Sequence, residues 1–176
     1  MKLSESAQSV KPNQSEKKRI FWLMFALAVL SWISLKMVLP ALPSLVEALH
    51  TSSSGVKLSV SIYLLFFAFS QLVWGVVIQK KGSRSTIYYS LSITLLGTLI
   101  AITSLNLPMY IAGRTLEGIG LGALGPVTRT VLVNYFDRKE LSVRFSIIIG
   151  TAATMPALSP LFAGYLMVWI NWQAIF

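Results

Sequence analysis

Residues 56–78 read VKLSVSIYLLFFAFSQLVWGVVI, residues 79–84 read QKKGSR, and residues 85–105 read STIYYSLSITLLGTLIAITSL. Two nearly unbroken apolar runs thus flank a short basic link. A helix needs about 20 apolar residues to cross a hydrocarbon core of about 30 Å, and each run has that length. Strands of a membrane barrel would alternate apolar and polar positions over about ten residues, so these runs predict helices. The link leaves room only for a tight turn. Gly82 suits a left-handed position within it, and Lys80, Lys81 and Arg84 suit a cytoplasmic surface. The predicted class is an all-α polytopic membrane protein.

Three more runs have the same character. One covers about 20–46, interrupted by Lys36 and ended by Pro40 and Pro43. Another covers about 108–135, with Pro108 in the first turn, where its missing N–H is harmless, and the last covers about 145–170. Residues 1–19 are polar and are expected to form a disordered cytoplasmic tail ahead of a transmembrane bundle over 20–176. The first run is too long for a signal-peptide core and no small-residue cleavage site follows it, so it is read as an uncleaved span. Residues 171–176 are read as a stub that could begin a sixth helix but is too short to cross. Composition points the same way: of 176 residues, 55% are hydrophobic and 12% charged, with mean hydropathy +0.69, against about a quarter charged in ordinary globular chains. A soluble domain is excluded, and the lipid bilayer is the expected surrounding.

A net charge of +9 would suggest nucleic acid in a soluble chain, but here the cations fall between apolar runs. Five lie in the tail (Lys2, Lys11, Lys17, Lys18, Arg19), three in the 79–84 link, and three between the last two spans (Arg138, Lys139, Arg144), while the opposite side has Lys57. This asymmetry predicts a cytoplasmic N-terminus and no nucleic-acid partner. Trp22, Trp32, Trp74, Trp169 and Trp172 include several near predicted span ends, as an interfacial belt requires. Cysteine is absent and His50 is the lone histidine, so neither a disulfide framework nor a Cys/His metal site can be built. No cofactor and no catalytic residue is expected.

Charges within the spans are the candidate functional residues. Lys36, Arg114 and Glu117 would each cost about 2.5–3.5 kcal/mol if placed alone at the bilayer centre, so each should face protein or water. At 1.5 Å per residue, Lys36 lies about 24 Å beyond the inner end of its span, and Arg114 and Glu117 about 9 and 14 Å below the outer end of theirs, so all three can share one level. Arg114 and Glu117 are three apart on one helix face, which allows an internal ion pair. Equally, Glu117 can be shared with Lys36 across a cavity, forming a charged substrate or proton site. Gly118 and Gly122 form a small-xxx-small pair that lets another helix approach closely. In the last span, Pro156, Pro160 and Gly164 mark either a structural kink or a hinge.

These features line up in order with motifs of the major facilitator superfamily. Lys36-Met37-Val38-Leu39-Pro40-Ala41-Leu42-Pro43 resembles an acidic-residue-then-LPALP signature, with Lys36 at the acidic position. The link resembles G-x-x-x-D-R-x-G-R-R, with Gly75, Lys80, Gly82 and Arg84 matching in type and Gln79 in place of Asp. Arg114-Thr115-Leu116-Glu117-Gly118-Ile119-Gly120 is similar to R-x-x-Q-G-x-G, and Met155 to Gly164 is similar to the antiporter motif.

The resemblance is to the N-terminal half of Bcr/CflA-like drug/proton antiporters. It implies proton-linked efflux of drugs or small metabolites by twelve helices in two halves, with a cavity near the midplane, no cofactor, and a bacterial inner-membrane location. With five crossings, the chain is read as a fragment or truncated form of such a carrier. It is expected to be inactive alone and to need a second transporter half or a further copy of itself as partner, with small-molecule substrate and protons as ligands once completed. The alternative is a small membrane interaction protein without transport activity.

Overall fold

The computed structural model describes residues 13–38 and 40–169, and every regular element among them is a helix: α1 Gln14–Met37, α2 Leu42–Ala48, α3 Ser53–Ile102, α4 Leu107–Leu121, α5 Leu124–Tyr135 and α6 Arg138–Trp169. Helix α1 reaches six residues into the stretch expected to be a disordered tail. The cause is local: the Asn13 N–H donates to the Glu16 carboxylate at 3.0 Å, and the Gln14 N–H donates to Asn13 Oδ1 at 2.6 Å. This is one half of a capping box. At the other end, the single span expected over 20–46 is divided. Pro40 has no N–H to give the Lys36 carbonyl, so α1 ends at Met37 and a separate helix, α2, starts after Ala41 with a proline in its first turn.

Helix α3 has 50 residues, about 75 Å if straight and more than twice a hydrocarbon core. It does not run straight. Gly82 has φ 79° and ψ 163°, which divides α3 into arms 53–81 and 83–102. The positive φ fits the left-handed expectation, but ψ lies beyond the left-handed helical region, in the mirror-extended region open essentially to glycine alone. A Cβ at Gly82 would meet nothing within 4 Å, so the constraint is conformational and not steric. Gly82→Val is therefore expected to cost about 1–3 kcal/mol, read as a lower detergent-unfolding midpoint by circular dichroism. An unchanged midpoint would contradict the turn geometry.

The direction of each arm follows from its contacts with α4. In the second arm, Gly97 abuts Gly113 and Glu117, and Thr94 abuts Gly120, so that arm is antiparallel to α4. In the first arm, Tyr63 abuts Gly118 and Phe67 abuts Gly122, so it runs parallel. The two arms are thus an antiparallel hairpin with α4 packed against both. Helix α1 packs on α5 and α6, and Met24, Leu121, Leu124 and Val127 are core residues where α1 and the α4–α5 segment meet. Helix α2 closes one end, with Leu45 in a second cluster that contains Val56, Ala101 and Tyr110.

The segment predicted as one span over 108–135 breaks between α4 and α5. Pro126 cannot donate to the Gly122 carbonyl, and the Ala123 N–H turns to Gly120 O at 3.1 Å in place of Ile119 O. Neighbouring helices cover the carbonyls at the break: Trp74 Nε1 donates to Ile119 O at 2.7 Å, and Ser31 Oγ to Leu121 O at 3.1 Å. Trp74 is buried, and so is not part of an interfacial belt. Helix α6 begins at Arg138, seven residues before the predicted span, and runs unbroken through Pro156, Pro160 and Gly164, whose side chains lie outside the described residues. The stub 171–176 also lies outside them.

Polarity in the hairpin is inverted relative to a water-soluble fold. Its buried face carries Ser59, Ser70, Thr86, Ser90 and Gly97 beside Val56, Tyr63, Trp74, Ile78 and Ala101, while Leu65, Phe69, Leu72 and Leu96 stand outward, Leu72 at 73% exposure. Large apolar side chains outside and small ones between helices are what a lipid solvent selects, because burying Leu from lipid gains nothing while close backbone approach does.

Candidate functional site

Among the described residues, the most buried charges lie on α4. Arg114 is 1% exposed and Glu117 3% exposed, and Arg114 Nη1 donates to Glu117 Oε2 at 2.6 Å. The three-residue spacing puts both side chains on one face, turned inward because glycines at 113, 118 and 120 let the α3 arms close over the helix. The Arg114 guanidinium carbon sits 4.2 Å from the centroid of the Tyr63 ring, where a cation meets the negative face of the aromatic. The second Glu117 oxygen, Oε1, accepts a hydrogen bond from Ser34 Oγ of α1. One carboxylate is thereby held by two helices at once, and Tyr63 brings in the first arm of α3. Such a pair is low in net stabilisation but costly to break, since either partner left alone is a charge in a weakly polarisable medium.

Of the sequence candidates, Arg114 and Glu117 are brought together. Lys36 lies in the last turn of α1, two residues past Ser34, and its side chain is outside the described residues. Gly118 and Gly122 pack against the first arm: a Cβ at Gly118 would come within 2.9 Å of Tyr63 O, and one at Gly122 within 2.7 Å of Phe67 O. The loop-motif residues Gln79, Lys80, Gly82 and Arg84 lie at the turn of the hairpin and Gly75 two helical turns before it, all apart from the ion pair. There Lys81 lies over Tyr89 at 4.9 Å and Arg84 over Tyr88 at 6.0 Å.

That turn belongs to a basic end of the bundle. Lys17 pairs with Glu140 at 3.3 Å, and Arg144 lies 4.0 Å from the Phe136 ring centroid and 5.0 Å from that of Phe21. A groove of about 700 Å³ lined by Ile20, Arg84 and Tyr135 joins the start of α1, the α3 turn and the end of α5. The three basic segments thus converge at one end in space as well as in the pattern of the sequence.

Sequence reasoning missed Ser34 and Tyr63, which have no charge to mark them. It also missed Arg129, an exposed cation of α5 within the predicted fourth span. Arg129 lines a second open cavity, of about 620 Å³, bounded by α1, the first arm of α3, α5 and α6.

The chain has clear relatives. The sequence model of the Major Facilitator Superfamily matches residues 24–176. Multidrug resistance protein D of Escherichia coli (strain K12) is 30% identical over 138 residues, covering 78% of this chain and 35% of that protein. An uncharacterized MFS-type transporter, YdgK of Bacillus subtilis (strain 168), is 28% identical over 167 residues, 94% of this chain and 42% of its own length. A chloramphenicol resistance protein of Pseudomonas aeruginosa is 29% identical over 150 residues, 84% of this chain and 36% of its own length. The chain thus spans 35% to 42% of the length of these three relatives. The helical hairpin with its inverted polarity, the glycine-packed α4 and a match over nearly all of the chain after α1 begins lead to one conclusion: this is an integral membrane protein, and it belongs to the major facilitator superfamily.

Proposed function

We propose that these helices form the first half of a proton-coupled exporter of small amphipathic molecules, set in the bacterial inner membrane with the N-terminus and the basic end cytoplasmic. The observation that carries this reading is the buried Glu117 carboxylate, bonded to Arg114 of its own helix and to Ser34 of α1. The Ser34 hydrogen bond ties α1 to that carboxylate, so in this reading a ligand or ion that competes for Glu117 is coupled to the contact between α1 and α4. The names of two relatives, a multidrug resistance protein and a chloramphenicol resistance protein, support export of small molecules. The convergence of Lys17, Arg84 and Arg144 at one end supports the orientation.

Alternating access needs two bodies that rock around a central site. The 176-residue chain supplies one body, so a second half or another copy of the chain is the proposed partner, and the chain alone is expected not to transport. Everted vesicles containing it alone should match empty vesicles in gradient-driven accumulation of chloramphenicol. Vesicles containing it joined to the remaining length of its Pseudomonas relative should accumulate the drug, and Glu117→Gln at equal membrane abundance should abolish this. Accumulation by the chain alone overturns the need for a partner. No accumulation by the joined protein overturns export, and accumulation that survives collapse of the proton gradient overturns the coupling.

A further inference from the structure

Arg129 lies six residues before the end of α5, about 9 Å inside the basic end of the bundle. A lone cation at such depth is costly in lipid and must face water or an opposite charge. It is exposed in the 620 Å³ cavity, no Asp or Glu lines that cavity, and Arg129 takes part in no ion pair among the described residues.

The rest of the lining divides into two kinds. Gln71 and Thr128 are polar. Thr128 is 4% exposed, and its buried hydroxyl has no hydrogen-bond partner among the described residues, an arrangement that needs an account when it occurs beside a cavity. Trp32, Phe67 and Phe145 are the aromatic part of the lining. The volume is that of a drug-sized site, and the composition, mostly apolar with a few polar groups, is that of a site that orients its ligand.

We propose that this cavity binds a small amphipathic anion, an apolar or aromatic body bearing a carboxylate. The planar guanidinium of Arg129 takes the carboxylate through paired N–H donors, Gln71 and Thr128 offer neutral hydrogen bonds, and the aromatic part of the lining takes the body. An anion enters without a desolvated counter-charge to displace, whereas a cation would meet Arg129 unopposed. Ser31 lines the same cavity one turn before Ser34, so an occupant lies next to the α1 segment that holds Glu117. The proposal names the ligand chemistry of the exporter proposed above and rests on that reading for its role in transport, but binding itself is measurable on the chain alone.

The test is equilibrium dialysis with the full chain in nanodiscs of zwitterionic lipid, using 2-naphthoate, the neutral 2-naphthamide and the cationic 2-naphthylmethylammonium as probes. The chain should bind naphthoate at least about tenfold more tightly than either of the others, above empty nanodiscs. Arg129→Gln should remove that preference while Arg129→Lys keeps part of it, with circular dichroism equal in all three proteins. Adding phosphatidylglycerol to the nanodisc should leave the naphthoate affinity unchanged; a loss of tenfold would mean that lipid headgroups own the site and would overturn the proposal. Equal binding of the three probes, or a preference that survives in Arg129→Gln, also overturns it. Failure of transport with naphthoate binding intact would count against the exporter and not against the anion site.

Discussion

Glu117→Ala should cost the bundle about 3–5 kcal/mol, the range found when one partner of a buried ion pair is removed. The substitution leaves the Arg114 guanidinium, 1% exposed, without the carboxylate 2.6 Å away, and removes the acceptor for Ser34 Oγ. Tyr63 stays beneath the cation, but a cation–π contact of about 2 kcal/mol when desolvated does not replace a carboxylate. The cost belongs to the surviving charge and not to the pair, so removing both should recover most of it. Arg114→Met combined with Glu117→Leu is expected to lie within about 1–2 kcal/mol of the original chain, because apolar replacement of a whole buried pair is commonly neutral. Reversible SDS titration in micelles followed by circular dichroism measures all three proteins. A double variant as destabilised as Glu117→Ala would show that the cost does not belong to the surviving charge.

Gly97 should tolerate no larger side chain. A Cβ there would meet the Glu117 backbone N and come within 2.8 Å of Gly113 O and 3.0 Å of Glu117 Cα. The contact is reciprocal, since a Cβ at Gly113 would reach 2.8 Å from Gly97 O and 2.9 Å from Ala101 Cα. Both walls are main chain, so no rotamer change can make room and the helices themselves must separate. Alanine gains up to about 1 kcal/mol of helix propensity over glycine, but the steric term is larger: overpacking costs about 1–3 kcal/mol for small insertions and more when backbone must move. Gly97→Leu is therefore expected to prevent the hairpin from closing on α4, seen as loss of monodisperse protein in size-exclusion chromatography. Gly150→Leu is the control, because a Cβ at Gly150 has open space around it. If Gly97→Leu behaves as the control does, the close packing of α4 is wrong.

The hairpin was legible because two independent signals coincide there: run length sets the helices, and a glycine among cations sets the turn. The Arg114–Glu117 pair was legible as one of two readings, because spacing of three on a helix decides which faces meet without knowledge of the rest of the fold. The boundaries were less so. Asn13-Gln14-Ser15-Glu16 carries a capping pattern, but it lies in a polar stretch where no hydrophobic periodicity marks a helix. Pro126 sits in plain view, yet its effect falls four residues earlier, at a Gly122 that reads equally well as helix. Ser34 and Trp74 could not be found from local pattern at all. Each meets its partner far along the chain, Ser34 at Glu117 and Trp74 at Ile119, and a serine or tryptophan in an apolar run has no preferred face until the neighbouring helices are placed.

The inverted polarity of the hairpin bears on how this sequence can drift. In a water-soluble core the usual damage is loss of volume. Here, Leu65, Phe69 and Leu72 face outward and can exchange with other apolar residues, while Gly97, Gly113 and Gly120 are closed in by backbone. Any base change that replaces one of these glycines with another residue adds atoms, so none of these three positions has a conservative neighbour in the genetic code. Mutation enters such a bundle by enlargement, and the residues with the least side chain are the ones that hold the lineage in place.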